Sequence, residues 1–319
     1  MDTRLRPSEM LCWGTLGSVR PFPDFQPERD VVDLQTAVDQ KDINTLVRIL
    51  TNRSSAQRQT LTQDYQTHMQ KELKAGLKKV LSGDLESLML GLMMTPEQFE
   101  AHRLRQAMEG VGTDEETLLE ILCTRTPQQL SNIKAVYNEE YKRDLEKDLI
   151  SETSGDFTKL LVALLKKEYR PGHLESDVQV LSEELSSKKA TAGPWIQILT
   201  SRSPDHLRKV LIDLEAEREQ PVAEIIEKRF GGILSGDLKL GLLTLMRCIE
   251  NQHLYLAQRI LNMKGSVLQG VLVSHCEEDL LAVRVAYKTH TGTSLYTTLQ
   301  KQFKGELQQA LLAICCAED

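Results

Sequence analysis

The sequence predicts an all-α chain of four tandem repeats of about 70 residues, and three observations carry that prediction. The first is composition: 18 glycines, 10 prolines and 5% aromatic residues in 319 leave few helix breakers and too few rings for a sandwich or barrel of this length. Leu, Ala, Glu, Lys and Gln, all good helix formers, fill the chain instead. The second is pattern, since no segment alternates apolar and polar residues between turn signals as a half-buried strand does. The third is repetition of two markers in the same order. Thr51-Asn52-Arg53-Ser54, Thr124-Arg125-Thr126-Pro127, Ser201-Arg202-Ser203-Pro204 and Ser274-His275-Cys276-Glu277 form the first set. Ser82-Gly83-Asp84, Ser154-Gly155-Asp156, Ser235-Gly236-Asp237 and Lys304-Gly305-Glu306 form the second, 29, 29, 33 and 29 residues later. Four copies at a nearly fixed spacing identify a repeat architecture.

The elements follow in order. A tail over 1–27 precedes repeats at 28–97, 98–170, 171–251 and 252–319. Within a repeat, Leu46, Val47, Ile49 and Leu50, and likewise Leu118, Leu119, Ile121 and Leu122, predict a helix with one apolar face. Ser54 and Thr126 then read as N-caps, with Gln57 and Gln129 closing capping boxes. Pro127 and Pro204 fit the first helical position. The glycines of the second marker are expected to end one helix before the apolar runs Leu85–Leu92, Phe157–Leu165, Leu238–Leu245 and Leu307–Ile314.

Charge and segment length exclude several classes. The net charge is −7, from 46 acidic and 39 basic residues scattered along the chain, which argues against a nucleic-acid binder that neutralises backbone phosphates. The most apolar stretches, Leu88–Met94 and Leu238–Met246, are far short of the ~20 residues that span a bilayer. The opening Met1–Pro7 has no apolar core of a secretory signal, so a cytoplasmic location is expected. The six cysteines (12, 123, 248, 276, 315 and 316) contain no C-x-x-C. Cys123 reads as a packed thiol. The adjacent Cys315 and Cys316 could form a strained bridge, but reduced thiols suit a cytoplasmic chain better. No H-E-x-x-H or G-x-S-x-G occurs, and the seven histidines lack metal-ligand spacing. No enzymatic activity is expected. His275, standing where the other repeats have Arg, reads as a structural substitution at a repeat interface.

The segment with most chemistry is Met108-Glu109-Gly110-Val111-Gly112-Thr113-Asp114-Glu115-Glu116. A dinucleotide fingerprint fails here, because Glu115 occupies the third glycine position and a helix precedes the motif. No Lys-Ser/Thr follows, so it is not a P-loop either. Thr113 with Glu116 reads as a capping box opening a helix over Asp114–Leu122. Taken alone, the segment is a tight helix–helix connector. Glu152, however, stands 40 residues beyond Gly112 and two before Ser154-Gly155.

With this Gly-x-Gly-Thr, its following helix, the acid before Ser-Gly and the fourfold repeat, the chain resembles the annexin family over roughly residues 28–319. Thr51–Gln59, Ser151–Phe157 and Ser294–Tyr296 match it closely. The resemblance implies calcium-dependent binding to anionic phospholipid membranes by a cytoplasmic protein that sits peripherally on the inner face when calcium rises. It places the carbonyls of Met108, Gly110 and Gly112 and the Glu152 carboxylate around calcium, with Val111 at the lipid boundary. Calcium takes 6–8 hard oxygens. Three carbonyls and a bidentate carboxylate give five, leaving room for water or a lipid phosphate.

The other repeats depart from that pattern. Repeat 1 reads Ala37–Ile43, two residues short, with Val80 in the acid position. Repeat 3 reads Ser187-Lys188-Lys189-Ala190-Thr191 with Ile233, and repeat 4 reads Met263–Ser266 with Gln302. Reduced calcium sensitivity is therefore expected, the alternative being a calcium-independent, membrane-associated scaffold. The family's weaker site type implies the Lys78 and Leu81 carbonyls with the Glu86 side chain. Repeats 3 and 4 carry Lys239 and Gln308 at that acid position. Lys71, Lys74 and Lys78 share a helix face, and Lys188 and Lys189 replace a glycine loop. They either meet headgroup phosphates, at ~1 kcal/mol each near an anionic surface, or form solvated faces. Family tails can dock an S100-type protein. Here Gly14 cuts Glu9–Trp13 short, so Trp13 is expected to pack on the body.

Overall fold

The computed structural model describes residues 16–187, 191–230 and 236–316. Among them are nineteen α-helices and no strand, so the all-α expectation holds. In chain order they are α1 (Pro27–Gln40), α2 (Ile43–Thr51), α3 (Ser55–Met69), α4 (Leu73–Val80) and α5 (Gly83–Leu92). Then come α6 (Pro96–Ala107), α7 (Glu115–Thr124), α8 (Pro127–Tyr141), α9 (Leu145–Glu152) and α10 (Gly155–Leu165). The third set is α11 (Leu174–Ser186), α12 (Gly193–Ser201), α13 (Pro204–Arg218), α14 (Val222–Phe230) and α15 (Gly236–Arg259). The last is α16 (Gly265–His275), α17 (Leu280–Thr291), α18 (Leu295–Gln302) and α19 (Gly305–Cys315). Helix α15 breaks at Asn251, whose backbone is non-helical. The Asn251 side chain accepts the Leu254 N–H at 3.0 Å and so caps the second half.

The chain folds as two compact units, one running to Phe99 and resuming at Leu256, the other Glu100–Tyr255. In the first, α2 packs on α1 and α19, burying Leu46, Val47, Ile49 and Leu50 while Arg48 faces water. In the second, α7 packs on α10. Here the expected single apolar face is too narrow a description, because every residue from Thr117 to Thr124 is buried. The charge this encloses, Glu120, is met by Arg103 at 2.7 Å; a buried carboxylate persists only when paired in this way.

Local signals explain most helix starts. Ser54 with Gln57 and Thr126 with Gln129 form complete capping boxes, and Pro127 and Pro204 open their helices. The second-marker glycines do not end helices as expected: Gly83, Gly155, Gly236 and Gly305 are the first residues of α5, α10, α15 and α19. Gly83, Gly155 and Gly305 have φ of +61, +66 and +66, a left-handed entry that costs a non-glycine residue ~1–2 kcal/mol.

The first-marker arginines are intra-repeat ties. Arg53 grips Asp30 through two bonds of 2.7 and 2.9 Å, Arg202 grips Asp177 at 2.7 and 3.2 Å, and Arg125 meets Glu100 at 2.8 Å. His275, buried, bonds Asp279 at 2.6 Å, one turn further along the chain. Cys123 is buried, and it, Cys315 and Cys316 are free thiols.

Within the first unit, residues 16–22 strap the end of the chain to its beginning. Leu281 N–H donates to Leu16 O and Val19 N–H to Cys276 O, both at 2.8 Å. The Ser18 hydroxyl donates to Ile314 O at 2.6 Å. Gln57 exchanges two 2.9 Å bonds with the Phe22 backbone, and the Arg53 guanidinium lies 3.9 Å from the Phe22 ring centroid. Glu9–Gly14 with Trp13, and Lys188, Lys189 and Ile233, lie outside the described residues.

Candidate functional site

The Gly-x-Gly segment joins α6 to α7 as a loop closed at its base. Asp114 N–H donates to Ala107 O at 2.8 Å, and the Asp114 side chain caps α7 by accepting from Thr117 N–H at 3.1 Å and its hydroxyl at 2.9 Å. The cap is thus Asp114, one residue past the predicted Thr113. Thr113 has another role: its hydroxyl donates to the Glu152 carbonyl at 3.2 Å, tying the loop to the last residue of α9. The signal that separates the two was in the sequence, since Asp42 and Thr45 repeat the Asp-x-x-Thr of Asp114 and Thr117. Asp42 caps α2 through the same pair of bonds, at 3.1 and 2.7 Å.

Loop length now decides what the main chain can offer. In repeat 1 the base is closed by the same bond, Asp42 N–H to Ala37 O at 2.8 Å, but only four residues lie between the partners instead of six. The two extra residues of repeat 2 form an arc over which Gly110 and Gly112 take φ of +96 and +88. A Cβ would meet nothing within 4 Å at either glycine, so backbone conformation and not space requires them. Val111, between them, is 109% exposed and packs on nothing.

Negative potential converges here. Helix α6 ends at Ala107 and α9 at Glu152, so two helix C-termini, each the equivalent of about half a negative charge, meet through the Thr113 bond. Glu152 adds a full charge at the wrong end of its helix and forms no ion pair among the described residues. Beneath it a network fixes α8 and α9: Asp148 accepts from Arg143 at 2.8 and 2.7 Å and from Tyr137 at 2.7 Å. The Arg143 bonds hold the Asp148 carboxyl below its usual range. Burial, with the Asp148 bond, pushes the Tyr137 phenol up to about 12. Arg105 bonds Glu109 at 2.7 Å and approaches Asp148 at 3.7 Å. Among the described residues no group of three or more His, Cys, Asp or Glu side chains could hold a metal. Main-chain carbonyls are hard oxygens, the kind of donor that calcium takes. Repeat 2 joins the main chain of Met108, Gly110 and Gly112 to a segment ending in a carboxylate, Glu152.

The equivalent positions in the other repeats do not. Val80 and Gln302 are the last residues of α4 and α18, as Glu152 is of α9, and neither is a carboxylate.

The weaker set of repeat 1 is illuminated by repeat 4. There the Gln308 side-chain amide donates to the carbonyls of Gln300 and Phe303, both at 2.7 Å. Counting from the second-marker glycines, Gln300, Phe303 and Gln308 correspond to Lys78, Leu81 and Glu86. The two carbonyls and the side chain thus meet at one point, and in repeat 4 an amide NH₂ occupies it. In repeat 1 the matching side chain is Glu86, which carries no amide NH₂ to fill that point. The family resemblance implied the Lys78, Leu81 and Glu86 set but gave no sign of the Gln308 contact. In repeat 2 the position is Thr158, bonded to Thr153 at 2.8 Å.

Comparison with known proteins agrees with this architecture. The family model described as Annexin matches residues 29–92, 99–164 and 252–314. Annexin A9 of Homo sapiens is 36% identical, covering 98% of this chain and 93% of that protein. The structure of annexin III superposes with a TM-score of 0.91 at 34% identity, covering 96% of this chain and 98% of that one. Chicken annexin V gives 0.85 at 36% identity, covering 95% and 99%.

Proposed function

The chain belongs to the annexin family, whose members are in general calcium-dependent phospholipid binders, and from that premise we propose that it docks on anionic membranes chiefly through repeat 2. The observation that carries the reading is the arc at Gly110 and Gly112 tied by Thr113 to the end of α9. Calcium there would take the Met108, Gly110 and Gly112 carbonyls and the Glu152 carboxylate. Its remaining coordination positions would bridge to a lipid phosphate. A single carboxylate leaves the 2+ charge half neutralised, so affinity should be low until the anionic headgroup joins. Val111, fully exposed at the tip, would enter the headgroup boundary.

The Lys78, Leu81 and Glu86 set is proposed as a second, weaker calcium position. Engagement of several sites on one body can multiply avidity by ~10² or more. A chain with one principal and one weak site should therefore need more calcium than a four-site relative. No helix among the described residues is long and apolar enough to cross a membrane, and the proposed association is peripheral.

Co-sedimentation with phosphatidylserine vesicles across a calcium titration tests this, with wild type and Glu152→Gln in parallel. A charged ligand is worth ~1.5–3 kcal/mol, so the substitution should raise half-maximal calcium about ten- to a hundred-fold. Superimposable titrations would remove repeat 2 from the mechanism. Equal sedimentation with and without calcium would favour a calcium-independent scaffold.

A further inference from the structure

The second unit contains a lysine with no counter-ion. Lys167 follows α10, and its Nζ donates to the Leu122 carbonyl at 3.0 Å. Among the described residues it forms no ion pair with a carboxylate. Burial pushes its amine down to about 8; the Cys123 and Cys248 thiols act in the opposite sense, and Arg125 adds to the fall. The side chain lines a cavity of ≈ 450 Å³ that lies wholly within this unit.

The other charged groups of that cavity have partners. Arg125 is paired with Glu100, Arg202 with Asp177 and Arg208 with Asp205. The one lining carboxyl, Glu250, is raised by burial and by Glu215, with Arg247 acting in the opposite sense. Burial also raises the Cys248 thiol, so no negative charge comes from that side. Tyr169, raised by burial, and His253 complete the titratable lining. The remaining walls combine Leu164, Leu199, Leu245 and Ile249 with the polar Thr124, Thr126, Asn251 and Gln252.

We propose that this cavity is a binding site for a small organic anion, an oxyanion carried on an apolar body, whose negative group pairs with the Lys167 ammonium. The volume falls in the ~300–1,000 Å³ range of pockets that hold small organic ligands. Apolar side chains beside placed polar groups let such a pocket hold a ligand's body and orient its charge. The charge argument selects the sign. A desolvated ammonium without a carboxylate gains from an incoming anion what the arginines already draw from theirs. The ligand's apolar body would cover the Leu164 and Ile249 side of the cavity.

The pairing has a proton signature. At pH 8 about half of the Lys167 amines are neutral, and an anion that favours the charged form must draw a proton from buffer. Calorimetric titration of the calcium-free full chain with 8-anilinonaphthalene-1-sulfonate, in two buffers of different ionisation heat, measures that uptake. We expect saturable one-to-one binding with nearly half a proton taken up at pH 8 and almost none at pH 6.5. Lys167→Gln should weaken binding about ten-fold or more and abolish the uptake. Lys167→Arg should keep the affinity but lose the uptake, because a guanidinium is charged in both states. Binding without uptake in the wild type, or no saturable binding up to millimolar probe, overturns the proposal. The wild-type pH series decides even if Lys167→Gln fails to fold.

Discussion

Replacing Gln308 with glutamate should convert an amide-filled position of repeat 4 into a calcium-responsive one. In the wild type the Gln308 NH₂ satisfies two carbonyls, those of Gln300 and Phe303, at 2.7 Å each. Glutamate is isosteric but places an anionic oxygen against those two oxygens. Each lost bond is worth ~0.5–1.5 kcal/mol net, and both lie in a partly exposed turn, so the calcium-free variant should lose ~1–2 kcal/mol. For a chain of this size that corresponds to a fall of a few degrees in Tm. Calcium should then bind the two carbonyls and the new carboxylate. At a hundred times its Kd, a ligand of the folded state contributes ~2.7 kcal/mol, enough to reverse the deficit. Thermal melts in chelator and in millimolar calcium, for wild type and Gln308→Glu, provide the assay. The variant should melt below wild type without calcium and show the larger calcium-induced rise. A variant that is destabilised but gains nothing extra from calcium would refute the convergence of these groups on a cation position. It would equally undermine the Lys78, Leu81 and Glu86 set.

Two further outcomes follow from the site geometry. Gly112→Ala places a Cβ at φ +88, where strain rather than contact opposes it; calcium-dependent vesicle binding should weaken several-fold while Tm falls by no more than ~2 kcal/mol equivalent. Asp148 is held below the usual carboxylate range, first by its Arg143 bonds, so the unfolded chain binds the more protons in acid. The stability this carboxylate contributes is present above its unfolded pKa of about 3.9 and is lost as pH falls through the lower folded value. Asp148→Asn should accordingly flatten the acid limb of a stability-against-pH curve measured by denaturant titration, whereas an unchanged limb would show the network to be inconsequential.

The repeat and the helices were legible because they depend on local chemistry that recurs. Capping boxes at Ser54 and Thr126 and prolines opening helices are nearest-neighbour rules, and they survive translation into coordinates. The acid at Glu152 and the missing acids at Val80 and Gln302 were legible for a related reason: each is the last residue of its helix, so one offset from the second marker finds all three. What escaped the sequence were contacts between segments distant in the chain. The Thr113 hydroxyl reaches Glu152 across 39 residues. Lys167 meets Leu122 across 45. Neither pair has a periodicity or a motif, and each exists only because separate helices bring it together. The misassigned cap is a different kind of error. Thr113 with Glu116 satisfies the capping-box pattern locally, but Asp114 offers a shorter acceptor already used by its counterpart Asp42, and the loop geometry leaves Thr113 facing Glu152.

That division between Asp114 and Thr113 bears on how repeats can lose calcium and still fold. In repeats 1 and 2 the same aspartate caps the following helix and the same backbone bond closes the loop. These are the contributions to stability, with a cap typically worth ~0.5–2 kcal/mol. The glycines, the two additional loop residues and the terminal carboxylate contribute nothing to either bond. They protrude beyond the closure at φ values that glycine adopts at little cost, while the Glu152 carboxylate at the end of α9 opposes its helix dipole. The shorter repeat 1 loop, Val38–Lys41, keeps cap and closure intact, with Lys41 itself in the left-handed region at φ +56. What remains uncompensated in repeat 2 is the Glu152 charge beside two helix C-termini, and offsetting it is the role proposed above for calcium.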